Sequence, residues 1–250
     1  MVDQTIVQNK FPAVQDNQLI EACYSMTLNE KRLLLLGISK IDALDNFVNK
    51  PMRFQITAKE WQEQFNDDSP WRTLKRTADK LLPRQLIFDP KVSTIIKKVN
   101  WFDSVYYFVD EGFISVQFSD SVKSRLYGLQ RNFTQLEMLS ISELNSIHAV
   151  RLYELLKQYL PDNKRKISLE SFRFAMDCVD TQKTTKRLKA QVLNPALKQV
   201  NEKSDIFCTV ADVKEGRSIT GFFFSIRQQE QHKLFWSPLN NRITFPHNPS

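Results

Sequence analysis

Apolar residues recur at helical spacing in two leucine-rich stretches, LNEKRLLLLGISKIDAL (28–44) and SIHAVRLYELLKQYL (146–160), and each predicts a helix with a buried face. After each comes a short extended piece that enters a second amphipathic helix, ITAKEWQEQF (56–65) and ISLESFRFAM (167–176). Thr57 and Ser168 stand where an N-cap is needed. A third helix follows. DSPWRTLKRTADKLL (68–82) has Ser69 as its expected cap and Pro70 in the first helical position, where a missing N–H costs nothing. Its counterpart TTKRLKAQVLNPALKQVNEKSD (184–205) places Leu188, Val192, Leu193, Ala196, Leu197 and Val200 on one stripe that continues past Pro195. The pattern then changes to period two. WFDSVYYFV and FISVQF flank Asp110-Glu111-Gly112, and IFCTVADV and SITGFFFSI flank Lys214-Glu215-Gly216-Arg217, so each predicts a β-hairpin.

The two sets of elements repeat in the same order. Residues 72–88 lie over residues 191–207 with a constant offset of 119, matching Leu74 to Leu193, Leu81 to Val200 and Ile87-Phe88 to Ile206-Phe207. The same offset brings Arg32 onto Arg151 and Leu33 onto Leu152, and an offset of 111 aligns 56–65 with 167–176. Three ordered matches indicate a duplicated unit. Helix, strand, helix, basic helix, hairpin is the order of a winged helix. The expected fold is therefore α+β, with two tandem winged-helix domains related by internal duplication. The expected bounds are residues 1–128 and 129–228, with a polar, proline-containing tail over 229–250.

Charge adds a partner. The 250 residues carry 35 Lys+Arg against 28 Asp+Glu, a net charge of +7, which favours a polyanion without specifying one. Cys23, Cys178 and Cys208 are isolated, with no CxxC pair, and fit small buried hydrophobes in a reducing compartment. The N-terminus lacks a signal-peptide pattern, and no apolar run approaches the roughly 18 residues of a membrane span. A soluble, cytoplasmic protein with no membrane partner is expected.

The basic helices locate the candidate chemistry. Arg72, Lys75, Arg76 and Lys80 recur at three- and four-residue steps and share one face, with Asp79 as the acid among them. In the second half Lys183, Lys186, Arg187 and Lys189 gather toward the start of the helix, the end that helix-turn-helix proteins point at base edges. A solvated face explains one such helix. Two at matching points of a repeat, each followed by a hairpin, point to double-stranded DNA. Pro195 removes one helical hydrogen bond and crowds the carbonyl of Gln191. The unbroken apolar stripe favours a kink over an end. Catalysis finds no residues: the five glycines form no P-loop, and His148, His232 and His247 are too dispersed for a metal-dependent nicking site. No enzyme activity, metal or cofactor is expected.

DNQLIEACYSMTLNEKRLLLL (16–36), GLQRNFTQLEMLSISELNSIHAVRLYELLKQY (128–159) and VLNPALKQVNEKSDI (192–206) resemble the iteron-binding replication initiators of theta-replicating plasmids. The resemblance spans roughly residues 16–227. It implies that monomers bind direct repeats at an origin, help to open an AT-rich region, and recruit the host initiator and replicative helicase. It also implies that dimers formed through the first domain bind an inverted repeat and repress the initiator's own gene. Carried over, the base-reading helix of the second domain begins near Lys183 and uses Lys186, Arg187, Lys189 and Gln191. The first domain uses Arg72, Lys75 and Arg76, with more phosphate contact. A duplicated winged-helix transcription regulator without a replication role is the competing reading.

Overall fold

The computed structural model describes residues 13–22, 24–41, 50–87, 98–126, 133–182 and 184–229. The first half runs β1 (Ala13–Asp16), α1 (Asn17–Glu21), α2 (Leu28–Ser39), β2 (Arg53–Thr57), α3 (Ala58–Phe65) and α4 (Pro70–Leu81). It continues through β3 (Gln85–Ile87), β4 (Lys98–Asn100), the hairpin β5 (Phe102–Phe108) and β6 (Phe113–Phe118), and α5 (Asp120–Leu126). The second half runs β7 (Phe133–Leu136), α6 (Met138–Glu143), α7 (Ile147–Lys157), β8 (Lys164–Ser168) and α8 (Leu169–Ala175). It ends with α9 (Thr185–Leu188), a π-helical turn (Lys189–Leu193), α10 (Asn194–Lys203) and the hairpin β9 (Ile206–Glu215) and β10 (Ser218–Gln228).

The duplication is visible in the hydrogen bonds. In each half the single strand pairs antiparallel with the second strand of the hairpin, giving the orders β2-β6-β5 and β8-β10-β9. Thr27 and Ser146, at the same offset of 119, cap α2 and α7 by accepting from the amides of Glu30 and Ala149. Thr57 and Ser168 cap α3 and α8 as the sequence predicts, Thr57 in a reciprocal capping box with Glu60. The period-two pattern sets the register. Ile56 faces Ile114 and Phe54 faces Val116 in the first sheet; Ile167 faces Phe222 in the second.

Two strand pairs were not expected. β3 pairs with β4, and β1 pairs with β7, so the first described strand is hydrogen-bonded to the strand that opens the second half. The expected join near Gly128 and the tail beyond Gln229 lie outside the described residues.

Leu33, Leu34, Leu35 and Leu36 are all buried within one chain, which makes this run core. Gly37 lies over Phe54, itself packed among Phe102 and Phe118, and a methyl group there would overlap the Phe54 ring. Gly37→Ala is expected to lower stability by about 1–3 kcal/mol, read from the urea midpoint, because an overpacked aromatic cluster has no free volume to yield.

Polar groups cross between the halves. Lys31 of α2 and Glu154 of α7, both with 0% side-chain exposure, pair at 2.6 Å. The Lys31 ammonium also donates to the Tyr24 hydroxyl at 2.6 Å. Arg151 pairs with Glu154 at 3.2 Å and donates to the carbonyls of Ala22 (2.9 Å) and Ala175 (2.6 Å). Burial, only partly offset by Glu154, pushes the Lys31 ammonium down to about 8. Arg32, the repeat partner of Arg151, donates to the carbonyls of Ser142 (3.0 Å) and Leu144 (3.2 Å) at the end of α6. Below this level Asp205 accepts from Tyr153 (2.8 Å) and pairs with Lys157, tying α7 to the start of β9.

Candidate nucleic-acid interface

The start of α4 is fixed differently from the expectation. Ser69 makes no side-chain cap bond; Asp67 instead holds the Ser69 backbone just before the helix. One Asp67 oxygen accepts from the Ser69 amide at 2.8 Å and the other from the Trp61 indole at 3.0 Å. Burial raises the Asp67 pKa, but the bonds from Ser69, Trp61 and Thr73 together hold it below the ordinary carboxylate range.

Thr73, Leu74, Thr77, Ala78 and Leu81 turn inward from α4, leaving Arg72, Lys75, Arg76 and Lys80 exposed on its outer side. Asp79, the acid within this set, accepts a hydrogen bond from Tyr107 of β5, and Lys75 stands 5.8 Å from the Tyr107 ring. The wing is thereby tied to the helix, and the one negative charge on α4 is directed at it.

In the second half Thr184 caps α9, its hydroxyl accepting from the Arg187 amide at 3.3 Å. Lys186, Arg187 and Gln191 are exposed; Lys183 lies outside the described residues. Arg76, Lys80, Lys186 and Arg187 make no ion pair among the described residues. Lys189 departs from the expectation. Its ammonium is half-buried and bonded to both carboxylate oxygens of Asp212 on β9, at 2.7 and 2.8 Å. It staples the helix to the wing and is not a free cation like Lys186. Asn194 and Lys198 were missed: both are exposed on the outer side of the helix, in line with Arg187 and Gln191.

Pro195 neither ends nor breaks the helix. Helical conformation runs without interruption from Thr185 to Lys203, and the five residues before Asn194 form a π turn whose closing bond joins the Asn194 amide to the Lys189 carbonyl. The wider turn replaces the simple kink expected from the sequence, accommodating a proline where a regular α turn would clash.

The wings differ in charge. The first tip carries Asp110 and Glu111 around Gly112, whereas the second carries Lys214, Glu215 and Arg217 around Gly216; both glycines have positive φ. The first tip is doubly acidic and the second carries a net positive charge, so the second is the better suited to phosphate. Elsewhere, burial lowers the pKa of His148 and pushes the Cys208 thiol up to about 12, which marks both as packed groups. Cys23 lies outside the described residues. No cluster of three His, Cys, Asp or Glu suited to a metal occurs among the described residues. No helix there is long and apolar enough to cross a membrane.

Two winged helices in tandem, each turning a basic helix outward, place the chain in the class of duplicated winged-helix proteins. Residues 12–157 match the family model "Initiator Replication protein, WH1" and residues 168–226 match "Initiator Rep protein, WH2", so the chain belongs to the initiator replication protein family. It is 25% identical over 242 residues to an "Uncharacterized 27.6 kDa protein" of Escherichia coli, covering 88% of this chain and 96% of that one. It is 21% identical over 235 residues to a "Replication initiation protein" of Escherichia coli, covering 91% of this chain and 73% of that one. Among solved structures it is similar in fold to the Pi initiator protein in complex with iteron DNA, with a TM-score of 0.74, 19% identity, and coverage of 90% of this chain and all of that one.

Proposed function

We propose that the protein is a plasmid replication initiator that binds double-stranded DNA sequence-specifically through α4 and α9–α10. The observation that carries this reading is the equivalent placement of two exposed basic helices in the two halves of a duplicated fold. Arg187 and Gln191 read base edges from the major groove, with Lys186 beside them, while Arg72, Lys75, Arg76 and Lys80 hold phosphates. The family and the iteron complex of the similar Pi initiator support direct repeats as the target of the monomer. On this reading the monomer starts theta replication by binding alone, with no bond in DNA cleaved. It then recruits the host initiator and replicative helicase in the cytoplasm, and the dimer represses its own gene at an inverted repeat.

Footprinting on the DNA that flanks the gene, with monomer and dimer separated, tests the target; protection of about two helical turns is expected. The salt dependence tests the mode. Six to ten phosphate contacts cost about 10³–10⁵ in affinity between roughly 50 and 200 mM salt, and a slope near zero would sink the reading. Arg187→Ala is expected to weaken specific binding roughly tenfold to hundredfold while leaving non-specific binding nearly unchanged.

A further inference from the structure

The π turn beside Pro195 alters the donors and acceptors available on the helix. The Asn194 amide bonds the Lys189 carbonyl, and Leu193, which caps α10, accepts from the Leu197 amide as the first bond of the regular ladder. Between these two bonds lie three carbonyls, those of Ala190, Gln191 and Val192. Pro195 has no N–H, so the Ala196 amide is the single helical donor left for all three. It lies nearest Val192 in an α ladder and nearest Gln191 in a π ladder, so the Ala190 carbonyl has no helical donor in either case. Ala190, Gln191, Asn194 and Pro195 are all exposed, on the same outer side of the helix as Arg187. Ala190 carries only a methyl group, which leaves its backbone open to close approach.

We infer that the backbone carbonyl of Ala190, freed by Pro195, is a base-reading acceptor that selects an adenine or cytosine in the target. The inference rests on the DNA-binding reading above. In the major groove adenine and cytosine present an amino group, N6 and N4, whereas guanine and thymine present only acceptors on the edge that a carbonyl meets. An acceptor pressed against an acceptor loses its water and gains nothing, so guanine and thymine are disfavoured at that position. In the free protein water satisfies the same carbonyl at little cost. A side-chain amide such as Gln191 can rotate to present either its donor or its acceptor, whereas a backbone carbonyl offers one function in a fixed direction. This gives the proline a role that packing alone does not.

The test uses duplexes selected by the full-length protein from a randomised pool about two helical turns long. In the winning sequence each adenine is replaced in turn by purine and each cytosine by 2-pyrimidinone, which removes one major-groove amino group at a time. One position is expected to lose roughly tenfold in affinity. The loss should persist in the Gln191→Ala/Asn194→Ala double variant, in which the side chains able to accept from that amino group are gone. Pro195→Ala, which restores the missing amide and lets the ladder close, should bind intact DNA more weakly and show no further loss at that position. Such coupling between one protein atom and one base atom is what a double-mutant cycle isolates. If the loss disappears in the Gln191→Ala/Asn194→Ala variant, the side chains read the base and the inference is wrong. If Pro195→Ala retains the same amino-group dependence, or weakens binding to every duplex alike, it is also wrong. Failure of the wild-type protein to select any sequence would instead overturn the DNA-reading assignment itself.

Discussion

Glu154→Gln is expected to cost about 3–5 kcal/mol of stability, because it removes the buried carboxylate that both Lys31 and Arg151 bond. Glu154 is paired with both Lys31 and Arg151, and the Tyr24 hydroxyl beside them is held neutral, its pKa raised chiefly by burial. Removing a cation has the opposite consequence. Lys31→Met leaves a balanced Arg151–Glu154 pair and should equal or exceed the wild type in stability at neutral pH. Placed in the Glu154→Gln background, Lys31→Met should recover much of the loss. The pH dependence has a definite sign. The Lys31 pKa in the folded protein is about 8 against an ordinary value of 10.5. Between those values the unfolded chain binds a proton that the folded chain has released, so folding is favoured as pH rises. The wild type should therefore gain on Lys31→Met between pH 8 and 10.5, with a flat difference below pH 8. Urea titrations across that range read all four proteins.

Trp61→Ala is expected to cost about 3–5 kcal/mol and to loosen the start of α4. The ring is fully buried, packs on Phe65 at 4.7 Å, and its N–H holds the aspartate that fixes Ser69 before the basic helix. Trp61→Phe separates the two contributions. It keeps most of the packing, removes the bond to Asp67, and should cost about 1 kcal/mol. The Asp67 pKa should then rise toward its ordinary value. Its contribution is present above that value and lost as pH falls, so NMR titration of the Asp67 carboxyl reads the change directly. Because Asp67 fixes where Arg72 and Arg76 begin their face, Trp61→Phe should also weaken DNA binding without touching DNA.

Local chemistry made much of the fold legible. Thr57 and Ser168 cap helices because a hydroxyl followed by an amphipathic run has one good use, and the two hairpins follow from strict alternation around a glycine. The pairing of β1 with β7 was not legible. Each strand is four residues long, and its partner lies more than a hundred residues away, so no window along the chain contains the signal. Within the candidate interface, sequence treats all cations of a basic helix alike. Lys189 differs from Lys186 because Asp212 faces it from a strand formed about twenty residues later. Asn194 and Lys198 were overlooked because they follow the charged cluster, and because a π turn advances fewer degrees per residue than the α-helix used to assign faces.

The strand pair that joins the two halves also sets an order for folding. Ala13–Asp16 is made more than a hundred residues before its hydrogen-bonding partner, Phe133–Leu136. Glu21 waits longer still, until Arg165 appears to bond it at 2.7 Å. During that interval the strand lacks its hydrogen-bonding partner, and α1, with the buried Leu19 and Ile20, lacks α7, against which it packs. The amino-terminal winged helix is thus completed by residues of the carboxy-terminal half.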